Sequence, residues 1–123
     1  MRALVVDDSR VMRSFLRRIV TEIGFDVEEA AHGLEALERL SEIDPVDLVL
    51  VDWNMPEMDG LELVTELRSN AAHDDTRVIM VTSESDFTRV AKALEAGADE
   101  YLMKPFNADD IRDKLRLIGI EAA

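Results

Sequence analysis

Five short apolar runs, each followed by a polar break and then a stretch of helical spacing, leave this chain few folds. The runs are residues 2–7, a weaker one at 26–30, then 46–51, Val78–Val81 and 99–103. Residues 46–51 are nearly continuous in apolar character, the pattern of a strand covered on both faces. Between them, Val11, Met12, Phe15, Leu16, Ile19, Val20 and Ile23 make one helical stripe, opened by Ser9 as cap and stopped by Gly24. Leu34, Leu37 and Leu40 mark a second helix, closed before Pro45, and Leu61, Val64 and Leu67 a third. Phe87, Val90, Ala91 and Leu94 form a fourth stripe ending at Gly97. Asn107 can cap a fifth helix, with Asp109 and Asp110 in its first turn and Ile111, Leu115 and Ile118 on its apolar face. Strands alternating with helices predict a single α/β domain over residues 1–123, a doubly wound (βα)5 unit with a parallel sheet.

In such sheets ligands bind outside the carboxyl ends of the strands. The residues at those ends are Asp7 and Asp8, then Asp52, then Thr82 and Ser83, then Lys104 and Pro105. Three carboxylates gathered at one edge repel one another. Two like charges about 4 Å apart cost roughly 4 kcal/mol at an effective dielectric near 20. A cation or a proton must offset that. A few hard oxygen ligands suit Mg²⁺, which keeps several waters and shares its shell with phosphate oxygens. The set can support phosphoryl transfer, which needs positioning and charge neutralisation. Asp52 is the candidate nucleophile, Lys104 and Mg²⁺ the holders of phosphoryl oxygens, and Thr82 a hydroxyl donor to one of them. Singly, each residue has a blander role open to it: Asp7 as a helix cap, Asp8 as a solvated acid, Asp52 as a turn acid, Thr82 as a β-former, Lys104 as a solvated cation. Their joint placement at successive strand ends favours a site.

Several function classes drop out. The chain has 123 residues and no cysteine, which removes disulfides, thiolate catalysis and zinc-thiolate sites. No Gly-rich phosphate loop appears. No signal peptide and no apolar stretch of about 20 residues is present, so a cytoplasmic protein without membrane insertion is expected. The formal net charge of −13 opposes direct nucleic-acid binding. The densest basic set, Arg10, Arg13, Arg17 and Arg18, reads as a solvated helix face.

The motifs Val5-Val6-Asp7-Asp8-Ser9, Val51-Asp52-Trp53-Asn54-Met55-Pro56, Asp59-Gly60, Val81-Thr82 and Lys104-Pro105-Phe106 resemble the receiver domains of two-component signalling. Within that family they are most similar to the single-domain chemotaxis response regulators, and the resemblance spans essentially the whole chain. It implies the flavodoxin-like strand order 2-1-3-4-5, which the residues alone do not reveal. It implies that Asp52 is the phosphoacceptor and that Asp8, Asp52 and the backbone carbonyl of Asn54 bind Mg²⁺, with Asp7 acting through a metal-bound water. Thr82 and Tyr101 would be a switch pair that repacks the face made by the fourth helix, fifth strand and fifth helix. Asn54 and Glu84 would tune the phosphorylated lifetime, and the Lys104–Pro105 bond would be cis. The implied partners are a sensor histidine kinase, a downstream target such as a flagellar motor switch, and a phosphatase.

Two other classes fit the residues less well. A phosphatase with an aspartate nucleophile needs a second acid two residues on, and that position is Asn54, which cannot take a proton. Slow loss of phosphate, and not enzymatic turnover, is therefore expected. A flavodoxin-like electron carrier would need a phosphate loop where Asp7 and Asp8 stand. The chain ends at Ala123, directly after the fifth predicted helix. A diffusible switch, a relay shuttle and a receiver cut from a larger regulator all stay open. Trp53 reads as a partly exposed neighbour of the site, Tyr101 as a sheet-edge aromatic and Phe106 as core. Met55, Met58 and Met80 read as packing, and His32 and His73 as loop residues away from the site.

Overall fold

Every residue of Leu48–Asp52 is buried, which only a strand covered on both faces achieves. The structure is a computed structural model describing residues 1–43, 46–83 and 87–120. Its elements follow the order β1 (Arg2–Val6), α1 (Arg10–Ile23), β2 (Asp26–Ala30), α2 (Gly33–Glu42), β3 (Leu48–Asp52), α3 (Gly60–Arg68), a 3-10 turn (Ala71–His73), β4 (Arg77–Thr82), α4 (Phe87–Ala96), β5 (Glu100–Met103) and α5 (Ala108–Leu117). The described strands form one sheet in the order β2-β1-β3-β4-β5, and each neighbouring pair is parallel. No helix among the described residues is long and apolar enough to cross a membrane.

Alternation along the strands divides the core in two. Leu4, Val6, Val49, Val51, Val78 and Met80 pack with α2, α3 and α4. Ala3, Val5, Leu48, Leu50, Ile79 and Val81 pack on the other side with α1 and α5.

The caps agree with the residue types. Ser9 accepts from the Met12 N–H at 3.2 Å, and Gly24 ends α1 at φ 123°, a conformation open to glycine. Asn107 and Asp110 form a capping box at α5, and Asp59 and Glu62 form another at α3.

The helix faces depart from the predicted stripes. Val11 is 81% exposed, and Phe15, Leu34 and Leu94 are also exposed. The residues that α2 and α4 bury include Ala36 and Ala93. Small side chains allow a helix to lie close on the sheet, and the larger neighbours are turned outward. Phe106 is only partly buried, against Phe15 at 5.7 Å between ring centroids.

Gly60 fixes how α3 begins. Its N–H donates to the Trp53 carbonyl at 3.0 Å. A Cβ there would lie 2.5 Å from the Asp52 carbonyl oxygen, backbone that cannot swing aside. Gly60→Ala is expected to lower stability by about 2–3 kcal/mol, by analogy with overpacked cores. A urea-unfolding midpoint unchanged from the parent would refute that packing argument.

Candidate functional site

The β1–β3 register runs Val5↔Leu50 and Val6↔Val51. One step further along both strands lie Asp7 and Asp52, so two carboxylates leave the sheet side by side. Asp7 is 1% exposed and Asp52 5%, whereas Asp8 stands exposed. One carboxylate oxygen from each of the three lies within 4.8 Å of the others.

Asp7 is held from several directions. Its N–H donates to the Ala30 carbonyl at 3.1 Å, and its Oδ1 accepts from the Ser9 N–H at 2.8 Å. Its carbonyl accepts from Arg13 Nη1 at 2.7 Å. Its Oδ2 is buried without a hydrogen-bond partner, and the nearest cation is Lys104 Nζ at 4.0 Å. Lys104 Nζ approaches Asp52 Oδ1 more closely, at 3.4 Å. The lysine is positioned through its own backbone, whose N–H donates to the Thr82 carbonyl at 2.8 Å. The Lys104–Pro105 bond is cis.

One ammonium does not balance three carboxylates. Asp52 is pushed up to about 6, first by burial and then by the Asp7 charge, with Lys104 opposing both. Asp7 is also raised, chiefly by burial, against the Ser9 N–H and Lys104, which favour its charged form. The donor set is oxygen only, and it includes a buried acceptor that no protein group satisfies. Both facts fit a hard divalent cation.

Thr82 is 2% exposed at the end of β4. Tyr101 lies on β5 opposite Met80, half-buried, with Lys114 Nζ 4.3 Å above its ring. Asn54 is exposed, and its Oδ1 lies 3.5 Å from Arg89 Nη1. Glu84 falls outside the described residues. His32 caps α2 by accepting from the Glu35 N–H at 3.2 Å, and His73 sits in the 3-10 turn. Met55, Met58 and Met80 all belong to the core beside α2–α4.

Two expectations need correction. Trp53 is buried, at 6% exposure, because it continues the alternation of Val49 and Val51 into the same half-core; the Arg89 guanidinium covers its ring at 5.2 Å. The four arginines of α1 are not one solvated face. Arg13 and Arg17 both pair with Glu29, at 3.3 and 2.6 Å, and Arg13 also braces Asp7. Arg13 was missed as a support of the site because its partners lie 6 and 16 residues away, beyond any local pattern. The Asp59 cap did leave a local signal, an acid followed three residues later by Glu62.

The model of the response regulator receiver domain matches residues 3–116. The chain belongs to that family. This receiver is 44% identical over 116 residues to a protein named chemotaxis protein CheY homolog from Campylobacter jejuni, covering 94% of this chain and 89% of that protein. It is 40% identical to chemotaxis protein CheY1 of Helicobacter pylori, covering 96% of each. The solved structure of chemotaxis protein CheY4 from Vibrio cholerae superposes with a TM-score of 0.87 at 32% identity, covering 94% of the receiver and 95% of that chain.

Proposed function

We propose that residues 1–123 act as one cytoplasmic receiver unit, a phosphorylation-activated switch in chemotaxis with Asp52 as its phosphoacceptor. The observation that carries this is the Asp52 carboxylate: buried at a strand end, raised to about 6, and 3.4 Å from Lys104. Above that pH it is ionised and poorly solvated, as a nucleophile should be. An Asp52 oxygen attacks the phosphorus of a phosphohistidine on a sensor kinase. The P–N bond breaks, the imidazole nitrogen keeps the electron pair, and an acyl phosphate remains on Asp52. Lys104 holds one phosphoryl oxygen and the Thr82 hydroxyl donates to another. Asp7, Asp8, Asp52 and the carbonyl of Asn54 would hold Mg²⁺, which would supply the charge that lets a phosphoryl group approach this acid cluster. Asp8 and Asp52 would be direct ligands and Asp7 would act through a water.

Thr82 moves towards the phosphoryl group, and Tyr101 turns into the space it leaves. That repacks the surface of α4, β5 and α5 read by a downstream protein, for which a flagellar motor switch is the chemotaxis candidate. Asn54 offers no titratable proton to activate water, so spontaneous hydrolysis is slow and a partner phosphatase has work to do; Glu84 is the second position proposed to set that lifetime. The protein thus receives and loses a phosphoryl group without acting as a turnover enzyme.

Trp53 follows Asp52 directly and is the only tryptophan, which makes it the reporter of choice. Mg²⁺ and then acetyl phosphate are expected to change its emission in two steps, with one phosphoryl group gained by intact mass. Silence in both measurements would end the receiver-switch reading. Asp8→Ala is expected to weaken Mg²⁺ at least ~10-fold in the same titration, through loss of a charged ligand. Unchanged affinity would remove Asp8 from the ligand set.

A further inference from the structure

Tyr101 is contacted from the side of the sheet opposite to the one its backbone serves. It pairs with Met80 across β4 and β5, and residues paired in a parallel ladder project to the same face. Met80 belongs to the half-core beside α2–α4. Tyr101 therefore starts from the α4 face, as does Thr82, two residues after Met80. The cation above its ring is nevertheless Lys114, at 4.3 Å. Lys114 lies on α5, whose Ile111 and Leu115 pack on the other face. β5 is an edge strand, and the ring meets Lys114 around that edge.

Glu100 fixes the cation in place. Its Oε1 accepts from the Tyr101 N–H at 3.0 Å and from Lys114 Nζ at 3.3 Å. One carboxylate oxygen thus holds both the backbone of the aromatic residue and the ammonium over its ring. The Lys114 and Glu100 side chains are only 25% and 19% exposed, so salt screens this pair less than one in open water.

We propose that Lys114 is a positioning residue of the switch, which with Glu100 holds the Tyr101 ring towards α5 in the unphosphorylated protein. The inference rests on the reading of Thr82 and Tyr101 as a switch pair. The ring cannot enter the space beside Thr82 while it stays under the ammonium. An ammonium on a tyrosine face at a partly exposed site shifts such a balance by roughly 2- to 5-fold. Lys114 thereby lowers the inward population at rest, and any ligand that prefers the inward state binds more weakly in proportion.

The test uses beryllofluoride with Mg²⁺, a non-covalent phosphoryl mimic, titrated by Trp53 emission. Lys114→Met keeps an unbranched stem and loses the charge. It should bind the mimic about 3-fold more tightly than the parent. Simple loss of a positive charge would weaken an anion instead, so the sign is diagnostic. Arg116→Gln removes an exposed cation from the same helix and should show no gain. Lys114→Arg keeps a cation over the ring and should match the parent. Glu100→Gln keeps an acceptor for the Tyr101 N–H, loosens Lys114 and should tighten binding as well. Tyr101 is the only tyrosine, so fluorotyrosine labels it alone. The difference in its fluorine shift between light and heavy water falls as the ring is buried, and it should fall when the parent binds the mimic. A parent that binds the mimic with no change at Tyr101 ends the switch reading and this inference with it. A parent whose Tyr101 responds, beside a Lys114→Met affinity equal to or weaker than the parent's, overturns the inference alone. An equal gain in Arg116→Gln does the same.

Discussion

Asp52→Asn is expected to abolish phosphate uptake from acetyl phosphate while making the metal-free protein more stable at pH 7.5. The first effect follows from removing the carboxylate proposed as the nucleophile, since an amide has no charge with which to attack. The second follows from its surroundings. In the folded protein Asp52 is raised from 3.8 to about 6, a little over 2 units. At 1.36 kcal/mol per unit, keeping it ionised at neutral pH costs about 3 kcal/mol. An amide of the same shape removes most of that cost, the Asp7–Asp52 repulsion included. For a chain of this size the gain corresponds to a rise in melting temperature on the order of 10 °C. Phosphate uptake that survives the substitution would place the acceptor elsewhere. A metal-free variant less stable than the parent would show that burial does not strain this carboxylate.

The same carboxylate makes stability depend on pH and on divalent metal. A group whose folded pKa is raised stabilises the protein fully below its unfolded value and loses that contribution as pH rises through the folded one. For Asp52 the window runs from about 4 to about 6, and Asp7 shifts in the same direction. Without metal, the melting temperature should therefore climb as pH falls from 7.5 towards 5. Protonation of other carboxylates also relieves a net charge of −13, so the relevant quantity is the difference between the parent and Asp52→Asn. That difference should shrink by about 1.4 kcal/mol between pH 7.5 and 5, and by the full amount of about 3 kcal/mol only below the unfolded value. Mg²⁺ at about 100 times its dissociation constant should add close to 3 kcal/mol at pH 7.5, and much less at pH 5, where protons compete for the ligands. Curves for parent and variant that run parallel at all pH values would contradict the electrostatic account.

How much of this was legible depended on the range of the interactions. Strand positions were readable because a continuous apolar run has few other uses, and the acids that end those runs were visible as a set. Helix caps at Ser9, Gly24, Gly97 and Asn107 were readable because each acts within four residues. Helix orientation was harder. In α2 and α4 the apolar spacing pointed to Leu34 and Leu94, but close packing on the sheet selected Ala36 and Ala93, whose lack of bulk carries no hydrophobic signal. The burial of Trp53 was available in the alternation of β3 and was obscured by its position beside a polar loop. Long-range braces left nothing local to read. Arg68 is an example: it donates to the Gly97 and His73 carbonyls at 2.9 and 2.8 Å and pairs with Asp99 at 3.0 Å. Only the folded chain brings those segments together.

Asp52 runs directly into Trp53, which is anchored among α2, α3 and α4. Lys104 is tied by the chain to Phe106, which leans on the packing of α1 and α5. The 3.4 Å contact between Asp52 and Lys104 is thus a clasp between the packing on the two faces of one sheet. A phosphoryl group on Asp52, as proposed, would act on the packing of both faces at once. A substitution deep in the packing of either face can retune the clasp without touching it, so the timing of the switch can drift while its chemistry stays fixed.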